Sequence, residues 1–353
     1  MRSGASPEHG ETRLIDNATD ADGIAGKRVL AMTLRSISMM SLVLAVVATA
    51  PAASLATPIT VNNADADFDR WNYPFNFTPG ARPTASTFAA LNNPGFDERD
   101  GQFLIGFNTA AAGVPTGLNP SDYQVGSLVV TATHNSTSFT YDPTYDSYTT
   151  YLAGGTDPDA GRPIILTGAG LRDGYTSFGF AGSSGTPVFE EDEAFGGSGP
   201  GVRDAFAADF DSSGNLRDIS NNVGTNFVTT TGFDVNFWAE GTTGLAAGAT
   251  VSGTQTFTFD MTPALDDPDI LQYVQQGFSS GGLFFAITSL SPASQPGEPE
   301  GPTPPNFQTS DAIDGTAPQA SYEVTIVPEP ASATLLGIGA MLLGLRQRRR
   351  RSA

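Results

Sequence analysis

The sequence predicts an all-β fold, a jelly-roll-like β-sandwich with one short helix and one long loop excursion. Three observations predict it. Short runs of β-rich composition with period-two alternation recur along the chain, and such alternation buries one face of a strand. Gly, Pro, Ser and Thr separate these runs, and long helical periodicity is missing. The spacing of the runs and the turn chemistry between them suit stacked antiparallel sheets.

The elements follow in order. Trp71-Asn72-Tyr73-Pro74-Phe75-Asn76-Phe77 reads as an extended segment with four aromatics on one side. Exposed, Trp71 would be a platform for stacking on sugar rings. Buried, it belongs to a sandwich core, which the rarity of large exposed apolar patches favours. Strands are predicted at Gln102–Phe107, Ser127–Thr133 and Ser138–Tyr141. The segment 151–202 is rich in glycine and acids and reads as an excursion, mostly loops with a strand at Pro163–Leu166. A separate second domain is disfavoured, because neither flank supplies a complete sandwich. Further strands are predicted at Thr225–Thr230, Asp234–Ala239 and Thr254–Met261. Trp238 faces the same choice as Trp71. Asp266-Asp267-Pro268-Asp269 caps a helix with Ile270, Leu271, Val274 and Phe278 at helical spacing, ended by Gly277 and Gly281-Gly282. Strands at Gly282–Thr288 and Ser321–Val327 complete the fold, separated by a Pro/Gly/Glu loop at Ser291–Pro305.

Several of these runs resemble the DNRLRE-type β-sandwiches of bacterial surface proteins, relatives of some carbohydrate-binding modules. The runs are Phe103–Asn108, Val125–Thr133, Phe259–Thr262, Tyr273–Gln275, Gly282–Phe285 and Ser321–Ile326. The departures are Asn108 where an Asp belongs, no Trp after Gln275, and the length of the excursion.

The two ends carry different information. Val327-Pro328-Glu329-Pro330 precedes an uncharged run, Ala331–Leu345, and then Arg346, Arg348, Arg349, Arg350 and Arg351. As a helix the run spans roughly 22 Å, short of the ~30 Å hydrocarbon core. The arginines can snorkel to the headgroups and hold the C-terminus on the cytoplasmic side. The prolines keep Glu329 in an extended, accessible segment. This order of parts resembles the PEP-CTERM sorting signal of exopolysaccharide-producing bacteria. The resemblance implies recognition by an exosortase, cleavage near the motif, and release or attachment at the cell surface. The alternative is a plain C-terminal anchor helix. At the other end, Met32-Thr33-Leu34-Arg35, the apolar run Met39–Val47 and the small residues before Ala56 form a signal peptide for Sec export, with cleavage after Ala56. Translation is expected to begin at Met32, with a long n-region as the alternative. The domains are thus a leader at 1–56, a passenger at 57–326 and a sorting signal at 327–353, with the chain in the inner membrane until it is processed.

Charge and composition restrict the passenger. Setting aside five basic and five acidic residues before position 57 and five arginines after 345 leaves seven arginines and 32 acids, a net charge of −25. Such a surface repels nucleic acid and anionic lipid. There is no cysteine, which excludes disulfides, zinc-thiolate sites and cysteine nucleophiles. Asp209, Asp211, Ser213 and Asn215, with Gly214 and Asp218, follow the first half of an EF-hand loop and suggest calcium. Position 12 is Ser220 rather than Glu, and a hairpin turning at Asp211–Asn215 fits the same residues. Asp65, Asp67 and Asp69, and Glu190-Glu191-Asp192-Glu193, are further acidic clusters that read as solvated loops.

Catalysis finds little support. The passenger holds one histidine, His134. The reading is a structural or adhesive surface protein of the exopolysaccharide layer, not an enzyme. A carbohydrate-binding module is the first alternative and a polysaccharide-active enzyme the second.

Overall fold

The computed structural model describes residues 57–74, 76–88, 101–135, 137–145, 161–182, 185–194, 203–219, 235–291 and 304–327. Two units divide the chain, Met1–Leu55 and Ala56–Ala353, and every described residue belongs to the second. The leader with Met32 and Ala56, the run Thr225–Thr230, and the tail from Pro328 to Arg351 lie outside the described residues.

The fold is all-β with one α-helix among the described residues. Its first strands are β1 Ile59–Asp65, β2 Phe68–Asn72, β3 Thr84–Ser86, β4 Gln102–Asn108, β5 Tyr123–His134 and β6 Phe139–Thr140. The middle holds β7 Ile164–Leu171, β8 Ser177–Phe178, β9 Val188–Phe189, β10 Ala205–Phe210 and β11 Leu216–Asp218. Then come β12 Ala239–Thr242, β13 Thr250–Val251, β14 Gln255–Asp260, helix α1 Pro268–Ser280, β15 Gly282–Ser289, β16 Asn306–Gln308 and β17 Gln319–Ile326.

Thirteen of these strands join one curled antiparallel sheet in the order β1-β17-β5-β14-β12-β7-β15-β4-β2. Off this path, β10 pairs with β7 and β11, and β16 with β3 and β5. Strand β12 is the joint of the curl, with Gly241 opposite Phe259 of β14 and Ala239 opposite Leu166 of β7.

Alternation along the strands sorts the side chains into two clusters. The larger gathers Leu128, Val130, Phe257, Phe259 and Tyr322 from β5, β14 and β17. They meet Phe103, Ile105, Phe107, Phe285 and Ile287 of β4 and β15, and Ile270, Val274 and Phe278 of α1. Each of these large apolar side chains stabilises the fold by roughly 1.5–3 kcal/mol through burial. The smaller cluster uses the alternate residues, Leu104, Ala169, Ala205, Ala207, Phe284 and Ala286, covered by Phe68, Phe189 and Val235.

Helix α1 begins and ends as its sequence dictates. The Asp267 side chain accepts hydrogen bonds from the N–H groups of Asp269 and Ile270, Pro268 stands in the first turn, and Gly281 closes the helix at φ 92°.

Three sequence expectations need correction. The segment 151–202 is not an excursion throughout, because β7 lies inside the sheet between β12 and β15. Its Gly168 and Gly170 weaken the strand signal, yet both positions are occupied by rings. A Cβ on Gly168 would come within 2.4 Å of Trp238, and one on Gly170 within 2.4 Å of Phe206. The strand expected at Asp234–Ala239 begins only at Ala239, because Asn236 and Trp238 are held by the side chain of Asp209. The extended segment expected at 71–77 ends at Asn72, where a tight turn brings the Tyr73 N–H onto the Trp71 carbonyl at 2.9 Å.

Candidate functional site

The calcium-loop residues form a hairpin. Asp209 pairs with Arg217 across β10 and β11, and Gly214 takes φ 74° in the turn. Asp209 is 1% exposed. One of its oxygens accepts from Trp238 Nε1 at 2.9 Å and the other from the Asn236 N–H at 2.8 Å. Burial raises its pKa against the pull of these donors. Asp211 caps its own turn, accepting from the N–H groups of Asn215 and Ser213, and these bonds hold its carboxyl below the usual range. Asp218 pairs with Arg172, and Ser213 is exposed. The five side chains do not converge on one point, so the hairpin reading replaces the EF-hand-like one. A pocket of about 280 Å³ beside the turn is lined by Asp209, Asp211, Asp267 and Asp269. Among the described residues, no three His, Asp or Glu side chains stand as a metal-holding group.

Trp238 is 2% exposed, stacked on Phe210 at 6.0 Å. It offers no face to a sugar ring, which corrects the stacking role considered for it. Trp71 is half-buried. Its ring stacks on Tyr73 at 4.8 Å, lies under the Arg82 guanidinium, and donates from Nε1 to the Ser86 carbonyl. Phe77 is 93% exposed and Phe75 lies outside the described residues, so the four aromatics do not form one platform.

His134 is fully buried. Its Nδ1 lies 3.1 Å from the Gly253 carbonyl and its Nε2 2.6 Å from Thr137 Oγ1. Phe139, Phe257 and Phe307 present or receive edges around the ring. Burial lowers its pKa. Its hydrogen-bond partners are a carbonyl and a hydroxyl, the setting of a core histidine.

The acidic clusters are structural too. Asp65 accepts from Gln319, Asp67 from the Asn108 N–H, and buried Asp69 from Ser310. The run Glu190–Glu193 is clamped to the sheet: Arg70, under Phe189, donates to the carbonyls of Glu191 and Glu193. Glu190 accepts from the N–H groups of Ala181 and Gly182.

Sequence reasoning missed an open groove of about 1050 Å³. Helix α1 supplies Asp269, Gln272, Tyr273, Gln276 and Ser280 to its lining. The segment after β7 supplies Thr176, Ser177, Phe178 and Phe180, and the hairpin tip supplies Gly214 and Asn215. Phe284 lies between Phe178 at 4.4 Å and Phe180 at 5.0 Å, both nearly parallel to it. The Tyr273 hydroxyl ties α1 to β7 and β15, 2.9 Å from the Ala169 carbonyl and 2.7 Å from that of Phe284. It also accepts the Ala169 N–H at 3.0 Å. Two glycines permit this packing: a Cβ on Gly282 would press on Phe180 at 2.8 Å, and one on Gly277 on the Gly282 carbonyl at 2.8 Å. The one available signal was the polar stripe of α1 at positions 269, 272, 276 and 280, which in sequence reads as any solvated helix face.

Comparison with family models, with curated proteins and with solved structures finds no match to this chain.

Proposed function

We propose that this chain is an exported bacterial surface protein, a jelly-roll-like β-sandwich passenger with a structural or adhesive role in the exopolysaccharide layer. Sec export machinery and an exosortase are its processing partners. The observation that carries the reading is the tail: Pro328-Glu329-Pro330, the apolar run to Leu345 and the arginine cluster from Arg346 to Arg351. The end of the passenger supports it. Strand β17 lies between β1 and β5 and finishes at Ile326, and the Val327 N–H donates to the Asp122 carbonyl at 2.8 Å. The last strand is thus complete immediately before the motif.

The test is cell fractionation with mass spectrometry of the C-terminus. The natural chain loses its tail and is found at the surface or in the medium. A chain with alanines at Pro328, Glu329 and Pro330 stays uncut in the inner membrane. A natural chain retained in the membrane with its tail intact refutes the sorting reading and leaves a plain anchor.

A further inference from the structure

We infer that the groove beside α1 is a binding site for an uncharged glycan chain. This deepens the adhesive reading above by giving it a ligand class.

Shape is the first argument. The groove is open and about 1050 Å³ in volume, which suits an extended chain better than an enclosed small molecule. The stripe from Asp269 to Ser280 runs roughly 16 Å along the helix axis, room for a short stretch of oligosaccharide.

Chemistry is the second. A sugar ring presents hydroxyls at its rim and C–H groups on its faces. The groove answers both, with ring surface from half-buried Phe178, Phe180, Phe210 and Tyr273 and with polar groups from Gln272, Gln276, Asn215, Ser177 and Thr116. Apolar walls with a few placed hydrogen-bonding groups are the usual composition of a ligand site. The aromatics are held before any ligand arrives, because Phe178, Phe284 and Phe180 stack on one another and Tyr273 is fixed through its hydroxyl. Binding then costs little side-chain ordering.

Charge is the third. Among the described residues, no lysine or arginine lines the groove, and the one charged group lining it is Asp269. With a net charge of −25 over residues 57–345, a polyanion is repelled. An uncharged polymer is not.

The test is affinity electrophoresis of the full chain through gels containing dextran, mixed-linkage β-glucan, galactomannan or polygalacturonate. At least one uncharged polymer retards the chain. The double substitution Gln272→Ala and Gln276→Ala weakens that retardation about tenfold, the effect of losing two modest hydrogen bonds. Both residues are exposed on a helix, where alanine is a better helix former, and a thermal melt checks that the fold is kept. Gln124→Ala, on β5 outside the groove, changes nothing. Passage through all three uncharged gels without retardation overturns the inference. So does retardation that the double substitution leaves untouched, or retardation by polygalacturonate alone. Fractionation reads the tail and electrophoresis reads the groove, so each can fail without the other.

Discussion

Asp209→Ala separates a structural pin from a metal ligand. Asp209 sits at 1% exposure with two donors, Trp238 Nε1 at 2.9 Å and the Asn236 N–H at 2.8 Å. Hydrogen bonds to a charged group contribute about 1.5–3 kcal/mol each. Part of this is offset by the cost of burying the carboxylate, which is why its pKa is raised. The substitution leaves both donors without an acceptor and opens space beside Trp238. The net loss should be about 2–4 kcal/mol. Asp209→Asn should fall between the two, because its amide oxygen can serve one donor while its NH2 group faces the other. The assay is urea unfolding of the full chain at pH 7, followed by tryptophan fluorescence, once with EDTA and once with millimolar calcium. An unchanged m-value identifies the loss as stability rather than altered compactness. The pin predicts the same loss in both buffers. A loss under ~0.5 kcal/mol, or one that appears only with calcium, refutes the reasoning and restores a metal at the hairpin.

Two further predictions concern packing and pH. Gly168→Ala drives a methyl to within 2.4 Å of the buried Trp238 ring, and should cost about 1–3 kcal/mol by calorimetry or urea unfolding; full stability would mean that β7 and Trp238 are not packed as described. Burial, with Asp311 adding repulsion, raises Asp69 from 3.8 to about 6 against the pull of its Ser310 bonds. The folded chain therefore binds this proton more tightly than the unfolded one, and stability falls as pH rises from about 4 to about 6 and then levels for this group. The rise is worth about 3 kcal/mol. Neighbouring Glu191, raised to about 8 mainly by burial, extends the decline upward. Asp69→Asn should remove the lower part of the slope in urea midpoints measured from pH 4 to 7, and equal slopes in the two proteins would discard the account.

The sequence disclosed elements whose signals are local. Asp267 with Pro268, and Gly281, bounded α1 because caps act over one helical turn. Alternation disclosed Gln255–Asp260, and dense apolar runs disclosed Gln102–Asn108 and Gly282–Ser289. Strand β7 was hidden beyond Leu166 because its glycines make room for Trp238 and Phe206, side chains supplied by other strands and loops. Strand β10, Ala205–Phe210, was hidden for a related reason: its alanines pack against β7 and carry little β preference of their own.

The sequence by itself determined the all-β class, the helix with its caps, the absence of cysteine chemistry and the strong negative charge, since each follows from residue type or near-neighbour spacing. It could not decide which aromatics face solvent, because an alternating strand has two equivalent faces until its partners are chosen. The tertiary structure made that choice. Pairing of β7 with β10 and β12 put Trp238 inside against Asp209, and turned the EF-hand-like run into a hairpin. Pairing of β15 with β7 brought Phe178, Phe180 and Phe284 together beside the polar stripe of α1. The groove exists only because segments about a hundred residues apart meet there, and no window of the sequence contains it.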